Sequence, residues 1–195
     1  MGYTLPKSVD IDGQSYEIRY DFRVILEIFE AINDANLSDQ DRAFAALQMF
    51  YVDFDEISDY DAALEQLFTF IRGGREAKSA QKEPKLVDWE QDFSIIAAPV
   101  NRVLGFDIRG VEYDIKHNTG GLHWFTFLSA YMEIGDCLFS QVVSIRDKKA
   151  RGKPLAKTDR EFYRKNRDLI DFETVYTDAE KTFLEQWTGE KENRP

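Results

Sequence analysis

From Phe22 onward, apolar residues recur at intervals of three and four along most of the chain, and many of these runs begin or end at a helix-capping residue. This pattern constrains the fold more than any other, because a 3.6-residue period cannot keep one face of a pleated strand apolar. Asp21, suited to accept the first free helix amides, precedes Phe22, Ile25, Leu26, Phe29 and Ile32. Ser38, with Asp41 in an approximate capping box, precedes Phe44, Leu47, Phe50 and Tyr51. A third stripe from about Ser58, with Tyr60, Leu64, Leu67, Phe68 and Ile71, stops at Gly73-Gly74. A fourth places Phe93, Ile96, Val100, Val103 and Leu104 on one face. Pro99 lies inside it, where a missing amide and a crowded Ile95 carbonyl predict a kink or a break.

After Gly105, the segment FDIRGVEYDI reads as a short extended piece or a turn. Beyond Gly120-Gly121, Trp124, Phe127, Leu128 and Tyr131 suit a buried helix, and Leu138, Val142 and Ile145 extend the pattern past Gly135-Asp136, as one bent helix or two. Past a linker at Arg151 to Lys157, one helix presents Phe162, Tyr163, Leu169 and Ile170. Another, opened by Thr177 with Glu180, presents Ala179, Phe183, Leu184 and Trp187. At the N-terminus, SVDID and SYEIR alternate around Asp12-Gly13, the dipeptide of a tight hairpin turn, with Val9, Ile11, Tyr16 and Ile18 on the buried face. The expected fold is mainly α: a single helical domain of about six or seven helices with a short N-terminal β-hairpin. Residues 1–150 form a helical body, with an expected mobile loop at 74–87, and 151–195 form C-terminal amphipathic helices.

A chain of 195 residues buries enough surface, about 70% of that exposed when unfolded, to need no covalent staple. One cysteine and two histidines supply neither a disulfide nor a structural zinc set, which fits a reducing cytosol. The first residues lack the basic and apolar regions of a signal peptide, and no run approaches the roughly 18 apolar residues of a membrane span. The net charge of −11 lies wholly in residues 1–100, with 20 acids against 9 bases. Glu30 to Glu65 holds ten acids and one base, whereas Arg146 to Arg167 holds ten bases and three acids. The basic segment reads as a solvated linker and helix face that neutralises the acidic half, and the overall charge disfavours nucleic acid.

No phosphate-binding loop, dinucleotide fingerprint, nucleophile elbow or zinc-protease motif is present in the sequence. Cys137 would lie roughly 21 Å from His123 along a continuous helix, so a Cys-His nucleophile requires a fold-back at Gly135, and His123 reads instead as a helix-start residue with a bonded ring. The acids Asp53, Asp55, Glu56, Asp59 and Asp61 resemble a calcium loop, but Ser58 stands at the required glycine and Leu64 at the bidentate glutamate. The expectation is therefore no catalytic, cofactor-binding or metal-binding residue. What stands out is aromatic content of 14% and a first helix apolar around most of its circumference, which implies either a large core or a surface covered by a partner.

Three elements carry a family resemblance: Tyr16-Glu17-Ile18-Arg19-Tyr20-Asp21-Phe22-Arg23, then Asp92-Phe93 leading to Gly105-Phe106-Asp107-Ile108, then Leu122-His123-Trp124-Phe125-Thr126-Phe127 followed by Ile145-Arg146. In their order and spacing, from about Leu5 to Arg167, the chain resembles the tail assembly chaperones encoded by long-tailed, siphovirus-type phages and prophages of Gram-positive bacteria. Pro99 departs from the family pattern. The resemblance implies a non-catalytic protein that coats the helical tape measure protein, keeps it soluble, and is displaced as tail tube protein polymerises. It also implies residence in the host cytoplasm, absence from the mature virion, and no membrane partner. Self-association is expected, with acidic and basic segments pairing head to tail between copies. The residues expected to face the partner are Phe183, Leu184 and Trp187, with the exposed side of the first helix, including Arg23. The alternative is a structural tail or head-tail component retained in the virion.

Overall fold

The computed structural model describes residues 4–75, 83–174 and 180. Strands β1 (Ser8–Ile11) and β2 (Gln14–Glu17) pair antiparallel with Ile11 opposite Gln14, leaving Asp12-Gly13 as the turn. Both turn residues hold positive φ, 53° and 82°, as a type I′ hairpin requires. Ile11, Tyr16 and Ile18 are buried and Val9 half-buried, so the expected face docks.

Eight α-helices follow among the described residues, which makes the chain mainly α as expected: α1 (Phe22–Asn33), α2 (Asp39–Phe50), α3 (Tyr60–Ile71), α4 (Trp89–Leu104), α5 (Trp124–Met132), α6 (Leu138–Ala150), α7 (Lys157–Lys165) and α8 (Arg167–Ile170). Asp21 and Ser38 cap α1 and α2 through their side chains, and Gly105 ends α4 at φ 79°. Helix α1 packs on α2, α4 and α5, and α4 packs also on α6. Arg19 fastens β2 to the end of α2 by donating to the carbonyls of Gln48, Met49 and Tyr51. The indole of Trp124 closes α3 by donating to the Ile71 carbonyl at 2.9 Å.

Several expectations are corrected. Helix α4 runs unbroken through Pro99, because the ring is buried with Ile96, Ala97 and Val100 and that burial outweighs one lost amide donor. Of the two open readings, one bent helix or two, the chain takes the second: α5 and α6 part at Gly135, where φ is 61°. The segment after Arg151 also breaks, at Asn166, into α7 and α8. A second hairpin, β3 (Tyr113–Asp114) with β4 (Thr119–Gly120), stands where no strand pair was expected.

Some helical stripes are rotated from their expected phase. Helix α3 buries Ala63, Leu67, Phe70 and Ile71, and leaves Tyr60 and Phe68 exposed. The Tyr51 hydroxyl, at the end of α2, donates to the Ala63 carbonyl at 2.9 Å. Phe44, Val103 and Leu138 are likewise exposed. Val103 lies in the last turn of α4 and Leu138 at the start of α6, at the margin of the core.

The main core draws on residues from Ile11 to Phe139 and contains an aromatic network in which Phe22 stacks on Phe127, with centroids 4.9 Å apart. A smaller cluster of Val142, Ile145 and Ile170, with Leu155, Phe162 and Tyr163 against it, holds α6, α7 and α8 together. Of the expected loop at 74–87, residues 76–82 lie outside the described residues. Residues 83–88 run without regular structure, and Val87 packs on the core.

Candidate interaction surface

The elements that carried the family resemblance meet in space, and they hold the fold together. Phe22 donates its amide to the Leu122 carbonyl at 2.9 Å, and Trp124 donates to the Tyr20 carbonyl at 2.7 Å, a short antiparallel bridge. The fully buried Asp21 caps α1, accepts the Leu122 amide at 2.8 Å and binds Arg23. His123 caps α5: its Nδ1 accepts the Phe125 amide, so Nε2 carries the proton and donates to the Pro6 carbonyl at 2.8 Å. Burial holds its imidazole below the usual histidine range, which keeps it neutral. Cys137 lies half-buried at the start of α6, where its amide bonds the Ser140 hydroxyl.

Asp92 and Arg146 form the other meeting point, 54 residues apart and both almost wholly buried. Arg146 donates to both Asp92 oxygens, at 2.5 and 2.9 Å, and to the carbonyls of Leu86, Leu169 and Ile170. The Phe172 ring lies 4.1 Å over the guanidinium. This base, expected on a solvated face, is thus an internal clamp on the C-terminal layer. Lys148, Lys149 and Arg151 are also tied down, to Asp159, Asp171 and Asp147. Asn118, at φ 49°, ties the second hairpin to the first by donating to Glu17 and the Ile18 carbonyl. No local signal in the sequence marked its role.

Accessible chemistry lies on the outer side of α1. A groove of about 750 Å³ runs between α1, α2 and residues 85–90, floored by Phe29, Met49, Val87 and Trp89 and edged by Glu27, Glu30, Asp34, Asp88 and Glu90. A shallower depression shares Glu27, Glu30, Trp89 and Glu90 and extends it to Leu26, Phe93 and Arg23. Partial burial and the carboxylates of Glu90, Glu27 and Asp88 raise the Glu30 pKa, so a cation entering the groove would be favoured there. On this edge Asp88 is bound to Lys85 at 2.8 Å.

Arg23 therefore stands at the end of this groove, as a half-buried residue bonded to Asp21 at 2.7 Å and lying over the Phe22 and Tyr113 rings. The Asp21 bond holds its pKa above the ordinary arginine value. Phe183, Leu184 and Trp187 lie outside the described residues. Among the described residues, no group of three or more His, Cys, Asp and Glu is arranged to hold a metal ion, and no helix is long and apolar enough to cross a membrane.

A family model described as Bacteriophage Gp15 protein matches residues 1–172, from ahead of β1 to just past α8. No curated protein and no solved structure matches the chain.

Proposed function

We propose that this chain, which belongs to the bacteriophage Gp15 protein family, is a non-catalytic tail assembly chaperone that binds the tape measure protein and keeps it soluble during tail morphogenesis. Membership of a phage protein family points to a structural or morphogenetic role. The finer reading is carried by the groove along α1, whose apolar floor and acidic rim suit a helix with an apolar stripe and flanking Lys or Arg. A long helical rod offers such stripes repeatedly. An open groove with a charged rim binds each one weakly enough for tail tube protein to displace it. In this reading the chain acts in the host cytoplasm and leaves before the virion is complete.

The test is co-expression with the long helical protein encoded downstream, affinity capture, and mass measurement of the complex. A soluble complex with many copies per rod is expected, and it should be lost on Glu30→Lys with Glu90→Lys while the chain stays folded. An insoluble rod with nothing captured refutes the reading. Recovery of this chain in purified virions would favour a retained tail or head-tail component instead.

A further inference from the structure

We infer that the groove between α4 and the start of α6 is the docking site of this chain's own C-terminal segment, with the stripe of Ala179, Phe183, Leu184 and Trp187 seated on it. This rests on the groove and on where the described chain ends, and not on the chaperone reading. The groove holds about 440 Å³ and is walled by Ile95, Ala98, Pro99 and Arg102 of α4 and by Cys137 and Leu138. Leu138 is 43% exposed, and Arg102 is the one charged residue among the described lining residues. Arg102 donates to the Ile134 carbonyl and, among the described residues, is in no ion pair.

The C-terminal layer already covers one half of this seam. Ile170 of α8 packs with Val142 and Ile145 of α6, and Ile95 packs against them. One turn earlier on α4, Gln91 donates to the Asp168 and Asp171 carbonyls and accepts the Glu173 amide at 3.2 Å. Gln91, Ile95, Ala98 and Arg102 follow at intervals of four, three and four residues, so they share one face of α4. The chain therefore leaves α8 at the head of the open groove. At about 1.5 Å per residue, Ile95 to Arg102 covers about 10 Å, and residues 179–187 span about 12 Å as a helix. Glu180, which belongs to that stretch, is helical. Residues 174–178 can bridge about 16 Å when extended, well beyond the single turn from Gln91 to Ile95.

Charge selects this groove over the one along α1. Residues 175–188 carry Asp178, Glu180 and Glu185 against Lys181, so the acidic rim of the α1 groove repels them and Arg102 attracts them. The stripe thus has an internal site, where a partner was expected to meet it.

Hydroxyl-radical footprinting of the full wild-type chain, read residue by residue by mass spectrometry, tests this. Leu5 and Leu138 are 49% and 43% exposed, so they react alike if nothing covers the groove. Under the inference Leu138 should react at least about fivefold more slowly than Leu5, since a covered side chain reacts only through its open state. That ratio should not change with protein concentration, because groove and segment belong to one chain. Phe183→Ser with Trp187→Ser should bring the two rates together and speed alkylation of Cys137, and Arg102→Glu should act in the same direction. Equal rates in the wild-type chain overturn the inference and leave the stripe to a partner. Protection that grows with concentration assigns the cover to a second copy and also overturns it, as does protection that the folded serine variant retains. The wild-type comparison needs no variant, so it decides even if the serine variant unfolds.

Discussion

Replacing Arg146 by Met tests whether one buried guanidinium clamps the C-terminal layer to the body. All five of its N–H groups are engaged, two by Asp92 and three by backbone carbonyls at 2.7 to 3.0 Å. Met keeps most of the volume, but it strands a carboxylate on a residue 1% exposed. Breaking a buried pair by removing one partner costs about 3–5 kcal/mol. Three carbonyls without donors add about 1 kcal/mol each unless water reaches them. Against a total stability of about 5–15 kcal/mol, a loss of about 6–8 kcal/mol leaves the chain marginal or unfolded. Urea unfolding followed by tryptophan fluorescence reads this directly. Asp92→Leu should be similarly harmful, while the double variant removes both charges and should recover at least about 2 kcal/mol relative to the sum of the singles. A cost below about 1 kcal/mol for Arg146→Met, or strict additivity, would refute the clamp.

Three further outcomes are expected. His123 is neutral in the fold with its pKa lowered by burial, so the unfolded chain binds more protons below its ordinary value near 6.5. Stability should therefore fall as pH drops from about 6.5, and His123→Asn, which retains a capping oxygen, should flatten that part of the pH profile measured by urea titration. Gly121→Ala should lower the thermal midpoint: φ is 77° and the added Cβ would lie 2.4 Å from Asp21 Oδ2, so strain of about 1–3 kcal/mol is joined by a steric clash with the α1 cap. Glu30→Gln should leave stability unchanged or slightly higher at neutral pH, because the ionised carboxylate is disfavoured by burial and by Glu90, Glu27 and Asp88, while titration with a basic amphipathic helix should show weaker binding.

The stretches legible in the sequence were those decided within one turn of chain. Asp12-Gly13 set the hairpin, Asp21 and Ser38 opened α1 and α2, and Gly73-Gly74 and Gly105 closed α3 and α4, because each depends on local φ or on a side chain reaching amides two or three residues away. Periodicity found helices but not always their phase. Tyr60 and Phe68 are spaced as helically as Leu67 and Ile71, and only the approach of α2 and β1 chose which set was covered. The candidate groove was legible only as acids and apolar residues on α1, since its other wall comes from residues 85–90, some sixty positions along the chain.

Mainly helical architecture, the N-terminal hairpin and the concentration of negative charge in the first half were determined by the sequence alone. Tertiary structure decided that Pro99 is tolerated, that Arg146 is an internal clamp, and that Phe44 and Tyr60 face outward. The reason is one of range: caps and turns are settled by neighbours a few bonds away, whereas burial and charge pairing depend on which distant segments the fold brings within a few ångströms.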